Sequence, residues 1–139
     1  MGSDKPYKLD EQIGFILRRA TQRHLALFSE AIPVVTTTQF AVLARLQELG
    51  PMSQNHLGRE TAMDAATIKG VVGRLAKLGF VETSHDPNDR RRVIVALTPA
   101  GHQVYAQMVD QALAVSDQTL APLTEQERAR LLALLSKLV

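Results

Sequence analysis

The chain of 139 residues has no cysteine and no tryptophan. A disulfide-stapled fold and thiol-oxidation sensing are therefore excluded, and structural zinc loses its usual ligands. Aromatic residues make up only 4% (four Phe and two Tyr), most at core spacing. That is too few for the stacking platforms on which single-strand binders lay bases. Apolar runs stay short, as at Val93 to Leu97, against the ~20 residues a spanning helix needs, and no signal-peptide pattern occurs. The expectation is a cytoplasmic bacterial protein with no membrane partner. Gly-x-Ser-x-Gly and phosphate-cradling glycine loops are absent. His24, His56, His85 and His102 form no HxxxH pair, and Ser84-His85-Asp86 are chain neighbours that cannot fold back into a triad. No enzyme activity, metal or cofactor is expected.

What is present is ordinary globular usage, 45% hydrophobic and 22% charged, at a length that suits a single domain over residues 1–139. Net charge is only +2, so its distribution has to decide what it means. Residues 1–50 and 98–139 together balance. The surplus falls in residues 51–97, where Arg59, Lys69, Arg74, Lys77, Arg90, Arg91 and Arg92 face five acids. A localised basic element on a near-neutral chain suggests a docking face for phosphates, although an RRR run also suits a solvated turn.

Met1 to Leu9 shows no periodicity. From Asp10 to about Glu30, residues Ile13, Ile16, Leu17, Ala20, His24, Leu27, Phe28 and Ala31 form one helical stripe, ended by Pro33. Thr36 and Gln39 form a capping box for a second helix with Phe40, Leu43, Ala44 and Leu46 inward, closed by Gly50-Pro51. Ser53 caps a third helix to about Glu60, and Asp64 caps a fourth to Leu78. Such a closely joined pair is a helix-turn-helix. Phe80–Thr83 and Arg92–Leu97 read as strands joined by the polar turn Ser84 to Arg91. Thr98-Pro99 opens a long fifth helix, and Thr124 with Glu127 caps a sixth bearing leucines 131, 132, 134, 135 and 138.

On the fourth helix Ile68, Val71, Val72, Leu75 and Leu78 cluster toward the core, and Ala66, Lys69, Gly70, Gly73 and Lys77 lie opposite. Each interior glycine costs about 1 kcal/mol relative to alanine. A bare, lysine-flanked face can enter a major groove with Asp64, Ala65, Ala66 and Thr67 nearest the base edges. Alternatively, Gly70 or Gly73 packs closely on another helix. Lys69 and then Thr67 are the best base readers, Arg74 lies beside them, and Ser53 and Gln54 start the preceding helix. In the hairpin, strand alternation lets one or two of the three arginines project, and Arg90 and Arg91 suit a narrow minor groove. Asp89 is placed to orient one of them.

The run Asp86-Pro87-Asn88-Asp89-Arg90-Arg91-Arg92-Val93, the later Leu97-Thr98-Pro99-Ala100-Gly101 and the preceding Arg74-Leu75-Ala76-Lys77-Leu78-Gly79-Phe80-Val81 resemble the wing region of the MarR family of bacterial transcription regulators. The resemblance implies a mainly α fold with a small β wing, a winged helix-turn-helix with N- and C-terminal dimerisation helices. On that division residues of about 10–35 and 98–139 form the dimerisation region, and about 36–97 the DNA-binding region. It implies a homodimeric, sequence-specific regulator, a repressor, on a pseudo-palindromic double-stranded operator, with helix 64–78 in the major groove and wing 84–92 in the minor groove. Asp89 and Arg91 match the family's Asp-x-Arg wing pair. Gly70 departs from the pattern, since many relatives carry a polar or basic residue there.

The run Leu9-Asp10-Glu11-Gln12-Ile13-Gly14-Phe15 is similar to relatives serving aromatic-acid catabolism. An aromatic carboxylate or its aryl-CoA thioester is the implied effector. His24, within the apolar stripe, reads either as a core residue or as a cavity-lining donor beside Phe28. Arg18, Arg19 and Arg23 lie off the stripe, solvated or available to clamp an anion. The alternative from another class is a winged-helix protein-interaction module without an effector.

Overall fold

A computed structural model describes residues 4–139; of the aperiodic start, Met1, Gly2 and Ser3 lie outside the described residues. The elements are α1 (Ile13–Ala31), α2 (Thr37–Leu49), β1 (Met52–Ser53), α3 (Gln54–Glu60), α4 (Ala65–Lys77), β2 (Val81–Asp86), β3 (Asp89–Leu97), α5 (Pro99–Thr119) and α6 (Glu125–Ser136). The mainly helical winged architecture expected from the sequence is the one observed.

Local hydrogen bonding explains most boundaries. Thr36 and Gln39 form the reciprocal box at α2, and Thr124 and Glu127 do so at α6. Ser53, Asp64 and Thr98 cap α3, α4 and α5 through side-chain oxygens that accept backbone N–H groups. The start of α1 differs from the expected Asp10. Leu9–Glu11 make a single 3-10 turn and Gln12 is extended at φ −94 and ψ 133. Its side-chain amide donates back to the Lys8 carbonyl at 3.0 Å, which closes that turn and starts the helix afresh at Ile13.

β3 is the centre of a three-stranded antiparallel sheet in the order β1-β3-β2. The two-residue β1, in register as Met52↔Val95 and Ser53↔Ile94, was not expected and ties the start of α3 to the base of the hairpin. The core joins Val42, Leu43 and Leu46 of α2, Leu57 of α3, Ile68, Val71, Val72 and Leu75 of α4, and Val81 and Val95 of the sheet to Phe28 and Ile32 at the end of α1 and Met108 and Val115 of α5. Val42 and the half-polar Gln39 therefore stand inward on α2, while Phe40 and Ala44 are only partly buried.

The Leu97-to-Gly101 run has a structural reason. Thr98 donates from its backbone to the Phe80 carbonyl at 3.1 Å and from its hydroxyl to the Gly79 carbonyl at 2.6 Å, locking α5 to the α4–β2 turn. A Cβ on Gly101 would collide with the Phe80 carbonyl and meet Leu97 at 3.1 Å. Gly101→Ala is accordingly expected to destabilise the fold by about 3 kcal/mol, the upper range for overpacking. Chemical unfolding checks this, and an unchanged midpoint would show that the two segments can separate freely.

The packing is one-sided at the two ends of the chain. The first turns of α1 hold Ile13, Ile16 and Leu17 in solvent, and α6 buries no residue, leaving Leu132 and Leu134 at 55% and 50% exposure. Among the described residues no helix is long and apolar enough to cross a membrane.

Candidate nucleic-acid interface

The α4 face opposite the core is bare. Ala65, Ala66, Thr67, Lys69, Gly73, Arg74 and Lys77 are exposed and Gly70 is half-buried. A Cβ on Gly73 would meet nothing within 4 Å, and one on Gly70 only the flexible Arg74 guanidinium, at 3.4 Å and beyond. Close packing against another helix therefore does not account for either glycine among the described residues. Leu78 departs from its expected core position. It caps the helix end, is 50% exposed and borders a cleft with Leu25 and Phe28.

At the other end the Asp64 carboxylate accepts the Thr67 N–H at 2.7 Å. The Thr67 amide and hydroxyl, with a smaller contribution from the Ala66 amide, hold this carboxyl below its ordinary range. The cap thus stays ionised at neutral pH, and the stability it contributes is lost only as acid carries the pH down through that lowered value. Ser53 plays the same capping part on α3, its hydroxyl accepting the His56 N–H at 3.2 Å while Gln54 follows half-buried.

The hairpin is longer and tighter than its sequence suggests. Ser84, His85 and Asp86 continue β2, Asp89, Arg90 and Arg91 begin β3, and the turn is only Pro87-Asn88. Asp86 accepts the Asn88 N–H at 2.8 Å, which closes the turn. Across the ladder His85 Nδ1 lies 2.8 Å from the Arg90 carbonyl, and because a carbonyl can only accept, Nδ1 carries the proton. Asp89 accepts the Arg91 backbone N–H at 3.0 Å and faces its Nε at 3.3 Å, which aims an Arg91 side chain that is 93% exposed. Arg92 is held to Asp86 at 3.7 Å. By contrast Arg59, Lys69, Arg74, Lys77 and Arg90 form no ion pair among the described residues. Five uncompensated cations therefore surround the bare helix and the wing. Asn55, which the sequence did not single out, and Arg59 and Arg92, which it gave only as part of the basic surplus, face a recess between α3 and β3. The i,i+4 spacing of Asn55 and Arg59 is visible in the sequence, but their position opposite the wing depends on the β1–β3 pairing.

The candidate effector residues do not converge in one place. Phe28 lines a cleft of about 480 Å³ with Ser29, Thr36, Gln39 and Leu78. Arg23 lines a separate one of about 410 Å³ and donates to the Thr119 and Gln118 carbonyls at 2.6 and 2.8 Å, closing the end of α5. Arg19 stacks on Phe15 with 5.8 Å to the ring centroid, and Arg18 is exposed. His24 is half-buried with Nδ1 2.8 Å from the Thr119 hydroxyl, which itself donates to the Val115 carbonyl at 2.9 Å. That commits the hydroxyl proton, so His24 donates from Nδ1 and its Nε2 remains for another partner.

The model of the MarR family matches residues 35–93, the segment from the start of α2 into the wing. The HTH-type transcriptional repressor NicR of Pseudomonas putida is 42% identical over 136 residues, covering 96% of this chain and 86% of that protein. The chain belongs to the MarR family. MarR-family transcription regulators are non-enzymatic DNA-binding proteins. Two solved structures extend the likeness. A probable transcriptional regulator from Pseudomonas aeruginosa superimposes with a TM-score of 0.92 at 53% identity, covering 95% of this chain and 100% of that one. Bordetella bronchiseptica BpsR, described in terms of regulation of its DNA binding by 6-hydroxynicotinic acid, gives 0.92 at 41% identity, covering 96% and 97%. The MarR-family likeness thus runs through α1, α5 and α6 as well as the helix-turn-helix.

Proposed function

We propose that this MarR-family protein is a homodimeric repressor that binds double-stranded DNA in a sequence-specific manner and is released by a small aromatic carboxylate. The bare α4 face beside uncompensated cations carries the reading. Its two interior glycines cost helix stability, and close approach to a major groove offsets that cost. Asp64, Ala65, Ala66, Thr67, Lys69, Gly70 and Arg74 meet the major groove, Asp89, Arg90 and Arg91 serve the minor groove, and Ser53 and Gln54 position α3 on the backbone. Residues of about 36–97 act as the reading head. The solvent-facing apolar residues of α1 and α6 pair with a second copy through regions 10–35 and 98–139, which sets two α4 helices on successive half-sites.

One relative supports repression and another the effector class: NicR carries the name of a repressor, and the BpsR structure concerns regulation of DNA binding by 6-hydroxynicotinic acid. A cleft of about 480 Å³ accommodates a single aromatic ring, whereas a CoA thioester would have to extend beyond it. In this reading Phe28 packs on the ring and His24 Nε2, one helical turn before it, accepts from the ligand's hydroxyl, whereas Arg18, Arg19 and Arg23 line no part of this cleft and take no part. The test is fluorescence anisotropy on a labelled duplex selected for binding. The wild-type protein binds, and 6-hydroxynicotinic acid weakens binding at least about tenfold, or about 1.4 kcal/mol. His24→Ala binds DNA normally and needs more acid for release. Absence of duplex binding by the wild type would overturn the regulator reading; release of His24→Ala at the wild-type concentration would make His24 only an α1–α5 tie.

A further inference from the structure

A recess of about 520 Å³ lies between α3 and the wing, lined by Ser53, Asn55, Arg59, Asp89, Arg91 and Arg92. Its lining is lopsided in charge, with three guanidiniums against one carboxylate, although Arg92 also reaches Asp86 beyond the recess at 3.7 Å. That carboxylate, Asp89, is already engaged by the Arg91 N–H and Nε. Arg59 makes no ion pair, only a 3.4 Å contact with His56, and the exposed Asn55 amide makes no hydrogen bond among the described residues. Donors outnumber acceptors here, so the recess is suited to a compact anion rather than an aromatic acid.

Its position identifies the anion. Asn55 and Arg59, one helical turn apart on α3, also border a second cleft with Ala65 and Ile68 of α4. They therefore stand between the N-terminal end of α4 and the wing, and the β1–β3 pairing fixes that spacing. In a duplex the element separating a major groove from the adjacent minor groove is a phosphate strand. Resting on the DNA-binding reading above, we propose that Asn55, Arg59 and Arg92 form a clasp for a backbone phosphate of the strand crossing between the α4 and wing contacts. The clasp fixes register without reading sequence, and it couples α3 to the wing.

Salt titrations of the selected duplex and of an unrelated duplex, from about 50 to about 200 mM, test this. Arg59→Gln reduces the magnitude of the log–log salt slope by about one per subunit and weakens both duplexes by the same factor. Asn55→Ala weakens both duplexes with the slope unchanged, because a neutral donor is lost. Both side chains are exposed, so thermal melting stays at the wild-type value and excludes misfolding. An Arg59→Gln slope equal to that of a salt-sensitive wild type overturns the clasp alone. A wild type with no salt-dependent duplex binding overturns the underlying reading. Titration of inorganic phosphate into DNA-free protein provides the last arm. Saturable binding that Arg59→Gln abolishes while the DNA slope is unchanged would assign the recess to a free anion and overturn the proposal.

Discussion

Gly73→Leu, and separately Gly70→Leu, are expected to leave the protein folded and at least as heat-resistant as the wild type while operator affinity falls a hundredfold or more. The two halves of this expectation have different origins. A glycine inside a helix costs about 1 kcal/mol relative to a good helix former. A side chain at Gly73 enters open space, and one at Gly70 displaces only the flexible end of Arg74. Folding therefore loses nothing, and the melting temperature rises by as much as a few degrees. Binding depends on how closely the α4 backbone approaches the bases, and an isobutyl group on that face holds it away. A hundredfold loss corresponds to about 2.8 kcal/mol, no more than a few lost base and phosphate contacts. Thermal melting and duplex titration of the same preparations separate the possibilities. Full binding would remove α4 from the groove, and a lowered melting temperature would mean that the face packs on protein.

The second large effect concerns assembly. Ile16 of α1 and Leu134 of α6 are 47% and 50% exposed, so glutamate at either position has little to disturb within one chain. If these residues meet a second copy, glutamate places an unpaired charge in a desolvated interface, which is severely unfavourable. Ile16→Glu/Leu134→Glu is accordingly expected to raise the dimer dissociation constant at least a hundredfold and, with one reading head per particle, to abolish tight operator binding. Light scattering measures the mass and anisotropy the binding. Where the separated chains are unstable, melting temperature rises with protein concentration, as it does for coupled folding and association. A variant that keeps the wild-type mass and affinity would show that these faces of α1 and α6 are not the association surface.

These effects rest on features that differ in how openly the sequence displays them. The caps at Thr36, Ser53, Asp64, Thr98 and Thr124 each act over three residues, so the local residue pattern reveals them. The α4 stripe is equally plain because Ile68, Val71, Val72 and Leu75 keep helical period; Leu78 breaks it only because the chain is already leaving the helix there. The wing ends are hidden by polarity. Ser84 and His85 are strand because they pair with Ile94 and Val93, and Asp86 pairs with Asp89 beyond a register shift that passes over Arg90, Arg91 and Arg92, with neither face of the tip buried to give a period of two. β1 is too short to carry any period. The contacts of Arg23 and His24 with the end of α5 join residues 95 or 96 apart, and no local rule finds them. Likewise the glycines of α4 are visible in the sequence, but only the folded arrangement reveals that nothing packs on them.

Selection of bound duplexes from a random pool tests the central claim most directly, because the protein itself picks out its operator and the enriched sequences report recognition and symmetry together. A dimer presenting two α4 helices should enrich an inverted repeat with half-site centres about one helical turn, ~34 Å, apart, and Gly73→Leu should enrich nothing. Enrichment of no sequence by the wild type, or of the same repeat by Gly73→Leu, would contradict it.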